Sequence, residues 1–585
     1  MTIRTFPTNL LRGRTRGFGL ADVAVLAAVF GLLAALAALS EGLVVPFGPG
    51  HTPTVSTDPA NLPYYAGRSL LRMFIALGAS TLFAIAYGYA AAKSHRAARV
   101  LVPLLDVLQS VPVLGFLSIT VTGFIALFPG SLLGLELASI FAIFTAQAWN
   151  MAFSAYHSFL TVPRDLDEAA RMYHLSSWQR LRRIELPAAT VGLVWNGMMS
   201  MGGGWFFLVA SEAITVNNAS YTLPGIGSFV GQAISERDYG AVAWAILTMI
   251  LIVVAVDRLF WRPLVAWSER FKLEESASGE VVESVVLNVL RRSRLVALVA
   301  RTIARAGAML VRAAASVRPH RVPKAEEAEP VTAPRAPRVS GDLVFNVALA
   351  LALAAGAWAL FGYLAPRLTP SDVVTAFEDG LFTFVRVIAV VAISALIWTP
   401  IGVWIGMNPR VSRIAQPIVQ VAASFPANFI FPVVTVLMLR TGFSIELGAI
   451  PLMALGTQWY ILFNTIAGAM GIPNDLREAS ALFRLPPRVR WRKLILPAIF
   501  PAWVTGAITA AGGAWNASIV AEIVSWGPDT LRAHGLGAYI AAATAVGDFP
   551  RTFLGIGVMV LFVVGLNRLV WHRLYRLAES RYRLG

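Results

Sequence analysis

The sequence predicts an all-α polytopic membrane protein of about twelve transmembrane helices, written as a tandem parallel repeat of six and six. Three observations carry this. First, 57% of the 585 residues are hydrophobic and only 14% are charged, with a mean hydropathy of +0.66. A soluble chain runs near 45–50% apolar and about 25% charged. Second, apolar stretches of about twenty residues, enough to cross a bilayer, recur along the chain. Third, the second half of the chain repeats the first. The same composition excludes a disordered chain, which needs low hydrophobicity. The absence of cysteine excludes disulfides, thiolate metal sites and cysteine nucleophiles.

The apolar stretches fall near 20–45, 68–92, 101–128, 133–157, 188–211 and 240–267, then near 343–365, 381–407, 415–439, 444–470, 498–521 and 551–577. The first follows Arg4, Arg12, Arg14 and Arg16. It exceeds the about 7–15 residues of a signal h-region and is expected to stay as an anchor helix. Prolines inside several spans (Pro112, Pro400, Pro426, Pro432, Pro451) are tolerable where neighbouring helices satisfy the freed carbonyls.

Loop charge sets the orientation. With the N-terminus inside, Arg68, Arg72, Arg237, Arg367, Arg386, Arg440, Arg532 and Arg551 fall on or near the outer side, leaving 40 of the 48 basic residues to the cytoplasmic side. The net charge of +16 would suggest nucleic acid in a soluble protein. Here it reports topology, and no nucleic-acid partner is expected.

Shifting the chain by 310 residues places Trp149 on Trp459, Pro163 on Pro473, Glu168 on Glu478 and Leu186-Pro187 on Leu496-Pro497. The same shift matches Trp205 to Trp515, Glu212 to Glu522, Gly225 and Gly227 to Gly535 and Gly537, and Asp238 to Asp548. Upstream the shift becomes 314, pairing Arg72 with Arg386 and Ser110-Val111-Pro112 with Ser424-Phe425-Pro426. Such register marks a duplication. Six spans per copy give both copies one orientation, related by an axis along the membrane normal. The boundaries expected are 1–275 for the first half, 276–341 for a connecting segment and 342–585 for the second half. In the connector, Arg291, Arg294, Arg301, Arg305 and Arg312 share one face of a helix over 281–312. That face suits the anionic inner leaflet; a helix packed on a partner, or a solvated charge face, fits it too.

The most informative segments are two cytoplasmic loops, about 163–187 and 473–497. The first carries Glu168-Ala169-Ala170 and ends in Ile184-Glu185-Leu186-Pro187; the second carries Glu478-Ala479 and ends in Leu494-Ile495-Leu496-Pro497. Each reads as a short helix with Asp and Pro at its start and a basic second half. An ordinary basic loop is the plain alternative, but both copies keep the same Glu-to-Pro spacing.

These loops resemble the Glu-Ala-Ala loop of ABC-importer inner-membrane permeases, the binding-protein-dependent transport family. Both depart from that pattern at its glycine, which is His174 in one copy and Arg484 in the other. If the glycine supplies positive φ, a side chain there costs about 1 kcal/mol. Ala521-Glu522-Ile523-Val524 followed by Gly535-Leu536-Gly537 is similar to the nitrate/taurine/sulfonate branch. The resemblance implies a type I importer permease fold with both permease halves fused in one chain. It implies two cytoplasmic ATPase subunits on the loops, through Glu168, Ala169, Ala170, His174, Pro187, Glu478, Ala479, Arg484 and Pro497. It also implies a periplasmic substrate-binding protein, and a bacterial inner membrane with both termini cytoplasmic. None of Lys93, Lys272, Lys324 and Lys493 follows a glycine, so a standard phosphate loop is absent. ATP and its magnesium are expected on the partner, with no cofactor in this chain.

Candidate pathway residues are Asp106, Ser110, Trp205, Glu212, Ser424, Asn428, Trp515, Asn516 and Glu522. Each is polar, ionisable or aromatic inside or at the end of a span, which is a functional hypothesis by default. Each also has a structural reading. Asp106 fits a helix end, Glu212 and Glu522 the outer end of a span, and the tryptophans a packed groove beside Gly202-Gly203-Gly204 and Gly512-Gly513. Ser110, Ser424, Asn428 and Asn516 fit helix-to-helix hydrogen bonds. No catalytic or metal residues are assigned, because no His/Glu cluster has metal-ligand spacing. A small oxyanion such as nitrate, a sulfonate, taurine or bicarbonate is the substrate the branch implies. Ferric iron or thiamine, carried by fused permeases, and an ion-coupled secondary transporter are the alternatives.

Overall fold

The computed structural model describes residues 22–23, 25–28, 31, 53–110, 113–216, 219–271, 285–293, 298, 302 and 341–581. The expected anchor over 20–45 and the basic helix over 281–312 lie mostly outside them. The chain divides into two compact units. One comprises residues 1–38, 258–270 and 274–362; the other comprises 39–257, 271–273 and 363–585.

The second unit holds most elements of both copies of the repeat. In the first copy, α1 is Leu62–Lys93, α2 His95–Ser110, α3 Leu117–Leu127 and α4 Leu133–Leu160. Then follow α5 Arg164–Met172, α6 Ser177–Arg180, α7 Leu186–Glu212, strands β1 Ala213–Val216 and β2 Ala219–Thr222, α8 Ile226–Glu236 and α9 Tyr239–Val256. In the first unit, α10 is Arg262–Ser268, α11 Val285–Arg292 and α12 Gly341–Leu364; within this unit Ser293 Oγ donates to Asp22 Oδ1 at 2.9 Å.

The second copy repeats the plan. Helix α13 is Pro370–Met407, α14 Pro409–Ser424, α15 Phe431–Thr441, α16 Ile445–Met470, α17 Asn474–Leu482, α18 Pro487–Arg490 and α19 Leu496–Ala521. Strands β3 Ile523–Trp526 and β4 Asp529–Arg532, then α20 Leu536–Val546, α21 Phe549–Leu566 and α22 His572–Arg581, complete the chain.

Local chemistry sets the boundaries. Asp238 and Asp548 cap α9 and α21, accepting the N–H of Ala241 and Arg551. Thr369 and Asp372 form a capping box at α13. Pro187 and Pro497 stand in the first turns of α7 and α19, where a missing N–H costs little.

Among the described residues, eight helices are long and apolar enough to cross a membrane, nine if one bent pair counts as a span. Two expected spans differ from the continuous helices read from hydropathy. The stretch 101–128 is α2 and α3, with a 3-10 turn at Val113–Phe116 between them. The stretch 415–439 is α14 and α15, bent by 73°. In the second copy the break follows Phe425-Pro426. Proline lacks the N–H that would continue the helix and pushes its predecessor into extended backbone, and Phe425 has ψ 126. The broken backbone is enclosed in protein: Ala427, Asn428 and Phe429 are buried, as non-helical backbone at membrane depth requires. The two hairpins are a further departure from an unbroken all-α chain. Each pairs two four-residue strands antiparallel, Ala213 with Thr222 and Ile523 with Arg532 at the open ends.

One apolar core runs through both copies of the repeat. Val113, Leu117 and Val121 from the first pack in the same cluster as Trp515, Ile519 and Val558 from the second.

Candidate functional site

The two loops fold alike. In each, a nine-residue helix starts after a proline (Pro163, Pro473). Asp165 and Asp167 in one, and Asp475 in the other, stand in the first turn, where the helix dipole favours an acid. Each helix ends on a 6→1 (Schellman) turn: Leu175 N–H donates to Ala170 O at 3.0 Å, and Leu485 N–H to Ser480 O at 3.1 Å. That turn needs a left-handed residue, supplied by His174 (φ 48) and Arg484 (φ 46). These are the two positions where the sequence departs from the family's glycine, so the expected strain is present in both copies.

Glu168 and Glu478 are exposed, while Ala170 and Ser480 are buried beneath their helices. Ala169 and Ala479 are half-buried. The residues that sequence reasoning missed are at the loop tips. Met172 and Tyr173 are 80% and 70% exposed, and Leu482 and Phe483 are 81% and 75% exposed. The signal was a pair of large apolar residues in an otherwise polar loop, at the same distance after Glu168 and Glu478.

Behind each loop the chain makes one π turn, Leu181–Glu185 or Trp491–Ile495, and continues into α7 or α19. In the first copy Glu185 is buried and accepts from Lys93 Nζ at 2.5 Å and from Arg180 Nε at 2.8 Å. Arg180 also pairs with Asp167.

At the far end of the same helices lies a buried clamp. Glu212, the last residue of α7, is fully enclosed. It accepts from Ser69 Oγ at 2.6 Å, Arg72 Nη1 at 2.7 Å and the N–H of Gly227 at 2.7 Å. Arg72 also donates to Glu136 at 2.5 Å and to Pro224 O at 3.0 Å, and Arg68 pairs with Glu136. The second copy rebuilds it. Glu522 accepts from Thr383 Oγ1 and Arg386 Nη1 at 2.8 Å, and from the N–H of Gly537 at 2.8 Å. Arg386 also pairs with Glu446 and donates to His534 O at 2.8 Å. A Cβ at Gly225 would overlap the Glu212 carboxylate, and one at Gly535 that of Glu522. The Glu and Gly-x-Gly pattern is therefore one physical object, a carboxylate seated in backbone. Glu212 and Glu522 are thus clamp members, and Arg68, Arg72 and Arg386, counted in the sequence as outer-side charges, are buried in it.

The remaining candidates sit where the two copies meet or within helices. Asn516 Oδ1 accepts the N–H of Val113 at 2.9 Å, and Asn428 Nδ2 donates to Phe206 O at 3.1 Å. Positions 206 and 516 are repeat equivalents, and Val113 corresponds to Ala427, the neighbour of Asn428, so the two bonds fall at corresponding places in the two copies with the amide side chain on opposite sides of the seam. A Cβ on Gly202 would lie 3.2 Å from Ser424 Oγ. Trp205 and Trp515 are buried, and Trp515 lies against Phe562 with ring centroids 6.1 Å apart. Asp106 and Ser110 fall on α2, but their side chains are outside the described residues. At the helix ends away from the two loops a second seam joins the copies. Gly527 N–H donates to Ile234 O at 2.9 Å, Arg237 pairs with Asp529, and the rings of Tyr239 and Trp526 lie 4.7 Å apart. No group of three or more His, Cys, Asp or Glu able to hold a metal occurs among the described residues.

The family of the "Binding-protein-dependent transport system inner membrane component" matches the chain twice, over residues 81–260 and 398–584. Among curated proteins, the chain is 26% identical over 197 residues to a bicarbonate transport system permease protein of Synechocystis sp., covering 34% of this chain and 65% of that protein. It is 27% identical over 198 residues to a nitrate import permease protein of Leptolyngbya laminosa, covering 33% and 67%. It is 26% identical over 195 residues to a glycine betaine/proline betaine transport system permease protein of Escherichia coli, covering 33% and 52%. The chain thus spans about half to two thirds of the length of these relatives.

Proposed function

The chain belongs to the family of binding-protein-dependent transport system inner membrane components, and from that premise we propose that it is the transmembrane permease subunit of an ATP-driven importer. Both permease halves, 1–275 and 342–585, are carried by one polypeptide and joined by 276–341. The observation that carries this reading is the duplicated loop. Each copy presents an exposed Glu and two exposed large apolar side chains on a short rigid helix, closed by the same left-handed turn. Two like knobs on one face suit two copies of one ATPase subunit, each holding a loop helix in a cleft. ATP-driven approach of the ATPases pushes both helices, and the spans behind them, so that the pathway between the halves opens outward. ATP and magnesium belong to the ATPases, since this chain has no lysine after a glycine.

The basic bias of the loops supports a cytoplasmic side for both loops and both termini, and the family resemblance supports a bacterial inner membrane. A periplasmic binding protein delivers the substrate to the opposite face. The substrate favoured is a small oxyanion of the nitrate, sulfonate or bicarbonate kind, supported by the likeness to bicarbonate and nitrate permeases. Such an ion would be met by neutral hydrogen-bonding groups along the seam between the halves, where Ser424, Asn428 and Asn516 lie.

Affinity purification of the chain from its native membrane tests the reading. A co-purifying ATPase with a phosphate loop, and ATP-dependent uptake of nitrate or bicarbonate in proteoliposomes, are expected. Uptake driven by an ion gradient without an ATPase would overturn it.

A further inference from the structure

Helix α1 is tied to α7 by charge at both ends. Arg72 holds Glu212 at the outer end. Lys93, the last residue of α1, holds Glu185 just before α7 begins. The two attachments are about 32 Å apart along α1, at 1.5 Å per residue. From Glu185 the charges continue through Arg180 to Asp167 in the first turn of the loop helix. An unbroken series of ion pairs therefore joins the loop to the long rod behind it. Glu185 is fully enclosed, and Lys93 is partly so.

The second half has the same outer clamp and a different inner joint. Met407 stands in the place of Lys93 and Ile495 in the place of Glu185. Ile495 packs with Val403, Ala469, Ile472 and Ile499, and Met407 lies against that cluster. The equivalent of Asp167 is Arg477, which donates to the carbonyl of Ala469 at 2.5 Å. An apolar contact is non-directional and tolerates sliding. Charge-assisted hydrogen bonds are directional, and a buried carboxylate cannot leave its partners cheaply.

We propose that Glu185 is a positioning residue that fixes the first loop to helix α1, so that the first half moves as a rigid lever while the second loop turns on an apolar joint. The two halves then transmit the same push unequally. This rests on the reading of the loops as ATPase docking sites.

The chain has no cysteine, so spin labels can be placed without background. Labels on Ser235→Cys and Thr530→Cys report the spacing of the halves at their outer ends. The spacing is measured in nanodiscs with the co-purified ATPase, before and after trapping with ATP and vanadate. Glu185→Gln keeps the volume and removes the charge. Lys93→Met/Glu185→Ile copies the second half's joint and keeps a packed interior. Both variants are expected to retain the ATPase, and the double variant the wild-type unfolding temperature. Both are expected to lose at least two thirds of the ATP-dependent shift in spacing, and Glu185→Asp to recover most of it. A full shift in both Glu185→Gln and the double variant overturns the proposal alone. A wild-type chain that purifies without an ATPase overturns the importer reading, and this proposal with it.

Discussion

The outer and inner ends of the repeat have been treated differently by the duplication. At the outer end both copies use the same parts: an Arg, a hydroxyl residue one turn before it, a Glu at the end of a long helix, and a Gly-x-Gly backbone. At the inner end one copy uses Lys93, Glu185 and Arg180, and the other uses Met407 and Ile495. The difference teaches what each joint demands. The clamp carboxylate is held by two side chains of one helix and a backbone N–H of another at once, and no single exchange leaves the rest satisfied. The inner joint hangs on one buried carboxylate; Arg180 keeps Asp167 without it, and replacing Lys93 and Glu185 together by apolar residues of similar volume is often close to neutral.

The largest effect is expected from Arg72→Met, which leaves Glu136 and Glu212 buried without their main partner. A loss of about 3–5 kcal/mol is expected, read as thermal unfolding in nanodiscs. Arg386→Met should cost less, because Glu446 stays 36% exposed to solvent and keeps the N–H of His534 at 2.9 Å. Equal losses would mean that the two clamps are energetically the same. Next comes Gly537→Ala, whose Cβ would overlap the backbone of Ser518. A cost of about 1–3 kcal/mol is expected from forcing α19 and α20 apart, measured in the same way. His174→Gly and Arg484→Gly should each stabilise the chain by about 1 kcal/mol, by removing a Cβ from the left-handed turn. Slower amide exchange at Leu175 and Leu485 would register the gain. The smallest effect is expected from Asp529→Ala. Its pair with Arg237 is about half exposed, and such pairs contribute about 0.2–1 kcal/mol, a loss that should shrink in high salt.

Much of the architecture was legible in the sequence because lipid imposes a simple rule. Long apolar runs named most spans, and Trp149-to-Trp459 register named the repeat. The loops were legible because Glu168 and Glu478, Pro187 and Pro497 keep one spacing, and even the strain at His174 and Arg484 followed from a missing glycine. The separation of α2 from α3 and the break after Phe425 were not legible from hydropathy. An apolar half-helix, a bend and another apolar half-helix read as one run, and proline alone does not separate a kink from a break. The outer clamp was hidden for another reason. Arg72, Glu136 and Glu212 are 64 and 140 residues apart, and only the folded chain brings them together. Counted as charges, Arg68, Arg72 and Arg386 fell on or near the outer side and gave no sign of a buried cluster. The exposed pairs Met172-Tyr173 and Leu482-Phe483 were hidden because large apolar residues are common throughout this chain, and only the folded loops leave these four exposed.

An ATPase is proposed to seat on these two loop tips. Cysteines at Tyr173 and Phe483, in an otherwise cysteine-free chain, can carry a photo-crosslinker in native membranes. Tyr173→Cys and Phe483→Cys should each yield an adduct with one and the same phosphate-loop ATPase, and the yield should change on adding ATP. Adducts with lipid alone, or with no nucleotide-binding protein at either position, would contradict the account.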